Sequence, residues 1–119
     1  MHRKWFIMKK IIVNKVIEIA DKNEWSVTAD NNFIMFSKYS PEGQDFNFEV
    51  EIGKDIEILT DNISEYINNF DVSYETYLWL DSEGHGINGA PYDMKDVYAD
   101  MEACLEMVRD LYTELLNIE

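Results

Sequence analysis

Between Asp45 and Ile52 the chain alternates without a break, with Phe46, Phe48, Val50 and Ile52 on one parity and Asp45, Asn47, Glu49 and Glu51 on the other. Successive side chains of a strand point to opposite faces, so this segment has one face suited to a core and one suited to water. Gly53 closes it. A sheet with one apolar face must be covered by elements that carry an apolar stripe of their own, which narrows the chain to a few layered architectures. Phe33 to Tyr39 reads as a second, aromatic-rich strand and Trp25 to Thr28 as a short first one. Asp30-Asn31-Asn32 and Ser40-Pro41-Glu42-Gly43 are the turns between them.

The covering elements show the other period. Met8, Ile12, Val16, Ile19 and Ala20 recur at helical spacing and predict a helix from about Ile7 to Lys22, ended by Asn23. Ile56, Leu59, Ile63, Tyr66, Ile67 and Phe70 predict another from about Asp55 to Asn69. Met94, Val97, Tyr98, Met101, Cys104, Leu105, Val108, Leu111, Tyr112 and Leu115 predict the longest, from about Asp93 to Leu116, with Asp93 as N-cap and Asp96 near the N3 position. Ser73 to Leu80 is read as a short capped helix in preference to a strand, and Asp81 to Pro91 as a glycine-rich loop. The order predicts a single α+β domain over residues 1–119, a small three-stranded antiparallel sheet packed by helices in the order α-β-β-β-α-(α)-α. Residues 1–6 are expected as an N-terminal extension, and Met8 is an alternative start of translation.

A chain of 119 residues can bury about two thirds of its unfolded surface in one core. Sixteen aromatics and 46% hydrophobic residues exclude a disordered acidic tail. No apolar run approaches the ~20 residues of a membrane span, and Lys9 and Lys10 interrupt the apolar start before a signal-peptide core develops. The expectation is a cytoplasmic protein with no membrane contact. Cys104 is the one cysteine, which excludes an internal disulfide and a thiolate cluster; on the apolar face of the last helix it reads as a buried, unreactive thiol.

Charge is the strongest functional signal. Twenty-four acids against ten bases leave −14. The first 22 residues carry six of the bases and only Glu18 and Asp21, so the remaining 97 stand at −18. The basic first helix is expected to lie against this acidic body, and the overall field opposes direct binding of DNA or RNA. Acids recur every fourth residue on two helices: Glu57, Asp61 and Glu65 on one, Glu102, Glu106, Asp110 and Glu114 on the other. Each like-charge pair at this spacing costs an isolated helix roughly 0.2 to 0.5 kcal/mol, and almost no base is interspersed to relieve it. Neighbouring carboxylates stand about 6 Å apart along the axis, close to the separation of successive phosphates on a nucleic-acid strand. With Asp45, Glu49 and Glu51 of the third strand, and with Asp81, Glu83, Asp96 and Asp100, they make a candidate surface for a basic partner. The plain alternative is solubility.

Ser40-Pro41-Glu42-Gly43-Gln44-Asp45-Phe46, Tyr77-Leu78-Trp79-Leu80, Gly84-His85-Gly86, Asn88-Gly89-Ala90-Pro91 and Asp100-Met101-Glu102 resemble motifs of small acidic proteins encoded by phages and mobile elements of gut bacteria, over roughly residues 40 to 105. Members of that group resemble anti-restriction and anti-CRISPR inhibitors. The resemblance implies an inhibitor in the bacterial host cell whose partner is a basic nucleic-acid-binding protein, a CRISPR effector or a restriction enzyme, and it supplies no site residues to carry over.

Other chemistries are poorly supported. Asp81 to Gly86 begins like a calcium loop with glycine in sixth place, but the twelfth position, which needs a bidentate Glu, is Tyr92. His85 has no second histidine in the body, no nucleophile setting and no phosphate-binding glycine motif beside it. A recognition loop or plain turn is the better reading, and neither a cofactor nor an enzymatic activity is expected. Tyr39, Tyr74 and Tyr92 are candidate exposed contacts, whereas Trp25, Phe33, Phe46, Phe48, Phe70 and Trp79 are expected in the core. The function classes carried forward are an inhibitor of a nucleic-acid-binding defence complex by mimicry, an immunity protein against a basic nuclease toxin, an acidic interaction domain without mimicry, and a metal protein or enzyme centred on His85. The protein is expected to act as a monomer or homodimer.

Overall fold

A computed structural model describes residues 2–118, with side chains from Lys9 onward. The element order is α1 (His2–Lys22), β1 (Ser26–Ala29), β2 (Phe33–Tyr39), β3 (Asp45–Glu51), α2 (Ile56–Asn69), α3 (Val72–Tyr77) and α4 (Met94–Leu115). The strands form an antiparallel sheet in the order β1-β2-β3, so the domain is α+β with the arrangement the periodicities predict. Helix α1 starts at His2 instead of Ile7 and takes in residues expected as an extension.

Register fixes the two faces of the sheet. Ile34 pairs with Val50 and Phe36 with Phe48 on the inner face, while Phe33 pairs with Glu51, Met35 with Glu49 and Tyr39 with Asp45 on the outer one. Phe36 and Phe48 stack with ring centroids 5.1 Å apart; Trp25 meets Phe48 edge-on at 5.7 Å, and Tyr66 of α2 stacks on Phe48 at 4.7 Å. Phe33, expected in the core, has the parity of the outer face and is exposed. Helix α4 touches both α1 and α2; α1 also touches β1, and α2 touches β3. The helices thus form one layer over the inner face, with Val97, Met101, Cys104, Val108, Leu111 and Leu115 of α4 buried against it.

Local chemistry sets the boundaries. Asp30 Oδ1 accepts from the amides of Asn32 and Phe33, each at 2.8 Å, which closes the β1–β2 turn. Asp55 and Asp71 cap α2 and α3 by accepting from Ile58 N and Tyr74 N. Asp93 stands at the N-cap of α4, but its carboxylate makes no cap hydrogen bond, so the capping expected there is absent. Glu24 at φ 69° turns the chain out of α1, with Lys38 Nζ donating to Asn23 O at 2.9 Å beside it.

Asp100 is the main departure. Expected on a partner surface, it is 3% exposed and ties the β2–β3 turn to α4. Ser40 Oγ donates to Asp100 Oδ2 at 2.6 Å and Glu42 N to Oδ1 at 3.1 Å, while Gln44 N donates to Ser40 Oγ at 2.9 Å. Gln44 Nε2 extends the network to Gly89 O at 2.8 Å. Truncating Asp100 leaves Ser40 Oγ and Glu42 N without their acceptor. Asp100→Ala is therefore expected to cost about 2 to 3 kcal/mol in urea unfolding, and Asp100→Asn less, because one acceptor oxygen remains. A loss below about 0.5 kcal/mol for the alanine variant, the ordinary range of surface substitutions, contradicts this role.

Candidate functional site

The remaining acids divide between opposite sides of the molecule. Asp45, Glu49 and Glu51 are exposed at alternate positions of β3, whose other parity faces the helices, so they point away from the helix layer. Glu57, Asp61 and Glu65 lie on the face of α2 opposite buried Leu59 and Ile63. Glu102, Glu106, Asp110 and Glu114 are likewise exposed on α4, opposite Val97, Cys104 and Val108. Because α2 and α4 are neighbours in one layer, their acid rows share the outer side of that layer. Glu106 pairs with Arg109 at 2.6 Å. No ion pair among the described residues reaches Glu57, Asp61, Glu65, Glu102, Asp110 or Glu114. The α2 and α4 rows thus each face away from the core on the helix side of the molecule, and the strand row faces away on the sheet side. Asp96 is exposed in the first turn of α4, and Asp100 belongs to none of these surfaces.

Asp81 and Glu83 are exposed on the loop before α4, but Asp81 is engaged locally. Its Oδ1 accepts from Glu83 N at 2.9 Å and His85 N at 3.0 Å. The bond from His85, then that from Glu83, holds the carboxyl below its usual range. The loop closes through Asp81 N to His85 O at 2.8 Å and Gly86 N to Tyr92 O at 3.0 Å. A Cβ on Gly86 would stand 1.8 Å from Pro91 O, so glycine is required there for close approach of two backbones. His85 stacks on Tyr92 with centroids 4.2 Å apart. Among the described residues, no group of three His, Cys, Asp or Glu side chains is placed to hold a metal ion.

Two depressions flank α3. A cleft of about 310 Å³ is lined by Gln44, Asp45, Glu75, Trp79 and Met101 among others. Gln44 Oε1 is buried there without a partner among the described residues. Burial, reinforced by Asp71, raises the Glu75 carboxyl above its usual range. Burial also pushes the Cys104 thiol up to about 12, with Asp100 and Glu75 adding to it, consistent with the unreactive thiol expected. On the other side, a more apolar groove of about 440 Å³ runs between α3 and the start of α4, lined by Thr76, Tyr77, Leu80, Met94 and Tyr98 among others. Met94 and Tyr98, expected in the apolar stripe of α4, are 55% and 40% exposed, and Tyr77 is 71% exposed. Tyr39, Tyr74 and Tyr92 are exposed as expected. The sequence signal that finds the groove is an i,i+4 series, Met94, Tyr98, Glu102, Glu106, Asp110 and Glu114, in which two apolar residues precede four acids.

Glu75 gives a pH-dependent check. Its folded pKa is raised, so its favourable contribution is complete below the unfolded value near 4.5 and is lost as pH rises through the folded value. Glu75→Gln, which cannot ionise, is expected to raise the thermal midpoint at pH 7, with the gain vanishing below about pH 4. An equal gain at both pH values contradicts burial of the carboxyl as its cause. Comparison of the chain with protein-family models, with curated proteins and with solved structures found no significant match, so the functional reading rests on the chemistry of these surfaces.

Proposed function

We propose that the protein is an inhibitor whose acidic helix faces occupy the nucleic-acid groove of a base-rich host-defence complex, of the anti-CRISPR or anti-restriction kind. The observation that carries this reading is the pair of outward acid rows on adjacent helices, Glu57-Asp61-Glu65 and Glu102-Glu106-Asp110-Glu114, with Arg109 as the ion-pairing base. Rows of carboxylates about 6 Å apart on two neighbouring cylinders offer a base-lined groove the charge pattern of phosphate strands. The repulsion along each row is a cost in the free protein that Lys and Arg of a partner relieve. Acids that served only to keep the protein soluble would do so equally well if interspersed with bases, without that repulsion. The strand acids Asp45, Glu49 and Glu51 face the other way and are not part of this contact.

The test is a folded variant, Glu102→Gln with Asp110→Asn and Glu114→Gln, which breaks every i,i+4 pair in the α4 row and keeps Glu106 with Arg109. It is expected to lose capture of base-rich nucleic-acid-binding proteins from host lysate. It should also be about 0.5 to 1 kcal/mol more stable, since repulsive pairs are removed and Gln is a good helix former. The wild-type protein should retain neither duplex DNA nor guide-length RNA. Undiminished capture by the variant, or tight binding of either nucleic acid by the wild type, contradicts the proposal.

A further inference from the structure

We propose that the groove between α3 and the start of α4 is an anchor site for an apolar side chain of the same basic partner, making the interface a protein-specific one and not charge mimicry alone. This rests on the preceding reading and adds to it where the partner docks. Thr76 is buried and Leu80 half-buried, while Tyr77, Met94 and Tyr98 stand exposed around them. Tyrosine and methionine in this setting give a partner large apolar area with adaptable edges.

The occupant follows from continuity and charge. Met94 and Tyr98 share one i,i+4 series with Glu102 and Glu106, so the groove meets the start of the α4 acid row one turn on; at 3.6 residues per turn each step shifts the series by about 40°, which carries Asp110 and Glu114 towards the far flank of the helix. Asp93 and Asp96 are exposed at the same end of α4, and the Asp93 carboxylate makes no cap hydrogen bond. Lys95 is a base on the rim, outnumbered by these acids. An apolar centre with a charged rim is the anatomy of a protein interface, and a phosphate backbone offers nothing to fill it. The matching partner surface is an exposed apolar side chain followed, one helical turn on, by a row of Lys or Arg.

Two helical peptides of equal charge test this, each with arginines at i,i+4 spacing, one carrying Trp a turn before the first arginine and the other Ser there. Wild-type protein is expected to bind the Trp peptide at least about tenfold more tightly, a difference of about 1.4 kcal/mol. Tyr77→Ala with Tyr98→Ala should erase that preference and leave the salt dependence intact. The triple acid variant should weaken both peptides together and flatten the salt dependence. Lys95→Glu should strengthen both. Both tyrosines are surface residues, and an unchanged thermal midpoint confirms that the double variant is folded. Equal binding of the two peptides to wild type overturns the anchor site and leaves the acidic interface standing; no binding of either overturns both. A homodimer dissociated by the tyrosine substitutions assigns the groove to a second copy of this chain and overturns the basic partner there.

Discussion

Three short strands can hide one face only, and the arrangement of this protein follows from that limit. The inner parity of β2 and β3 places Phe36 against Phe48 at 5.1 Å, with Trp25 edge-on, and the helix layer exists to keep that face dry. Helix α4 lies between α1 and α2 and buries a long apolar stripe. Once the core side of each helix is committed, the remaining side must carry whatever else the sequence holds. On α2 and α4 that is mostly acid.

Not every acid serves the surface. Asp30, Asp55 and Asp71 accept backbone amides at turns and helix starts, and Asp100 turns inward to hold the β2–β3 turn. These carboxylates are satisfied by donors of the fold. Among the described residues the α2 row and most of the α4 row have no such donors, and their i,i+4 neighbours along the helix are other carboxylates. The contrast separates acids that stabilise the domain from acids whose mutual repulsion opposes it, and the second kind lie on the outward faces of α2 and α4.

The elements were legible wherever burial imposes a period: β3 alternates through Glu51, and α4 steps by three and four over its whole length. Elsewhere tertiary contacts decide, and they leave no local pattern. Asp100 lies on the apolar side of α4, and only the packing of the distant Ser40 turn against that helix shows why an acid is tolerated there. Phe33 fits a buried position of the second strand by sequence, but register with Glu51 puts it on the outer face, where it is exposed. Met94 and Tyr98 fit the helical stripe and yet remain exposed, because α3 leaves a groove beside the first turns of α4 instead of covering them. Asp93 and Asp96 matched a capping pattern that the side-chain geometry does not use. The acid rows themselves were visible from spacing alone, whereas their division between opposite sides of the molecule needed the layer order.

The outer faces of α2 and α4 hold carboxylate repulsion that the Glu106–Arg109 pair relieves only locally. Urea unfolding of the wild-type chain at pH 7, in about 20 mM and about 300 mM monovalent salt, measures it directly, since the Debye length falls from about 20 Å to about 6 Å over that range. Unfolding free energy is expected to rise with salt, by on the order of 1 kcal/mol from screening of several i,i+4 pairs, and equally with sodium, potassium or tetramethylammonium chloride. Stability that stays flat or falls as salt increases contradicts it.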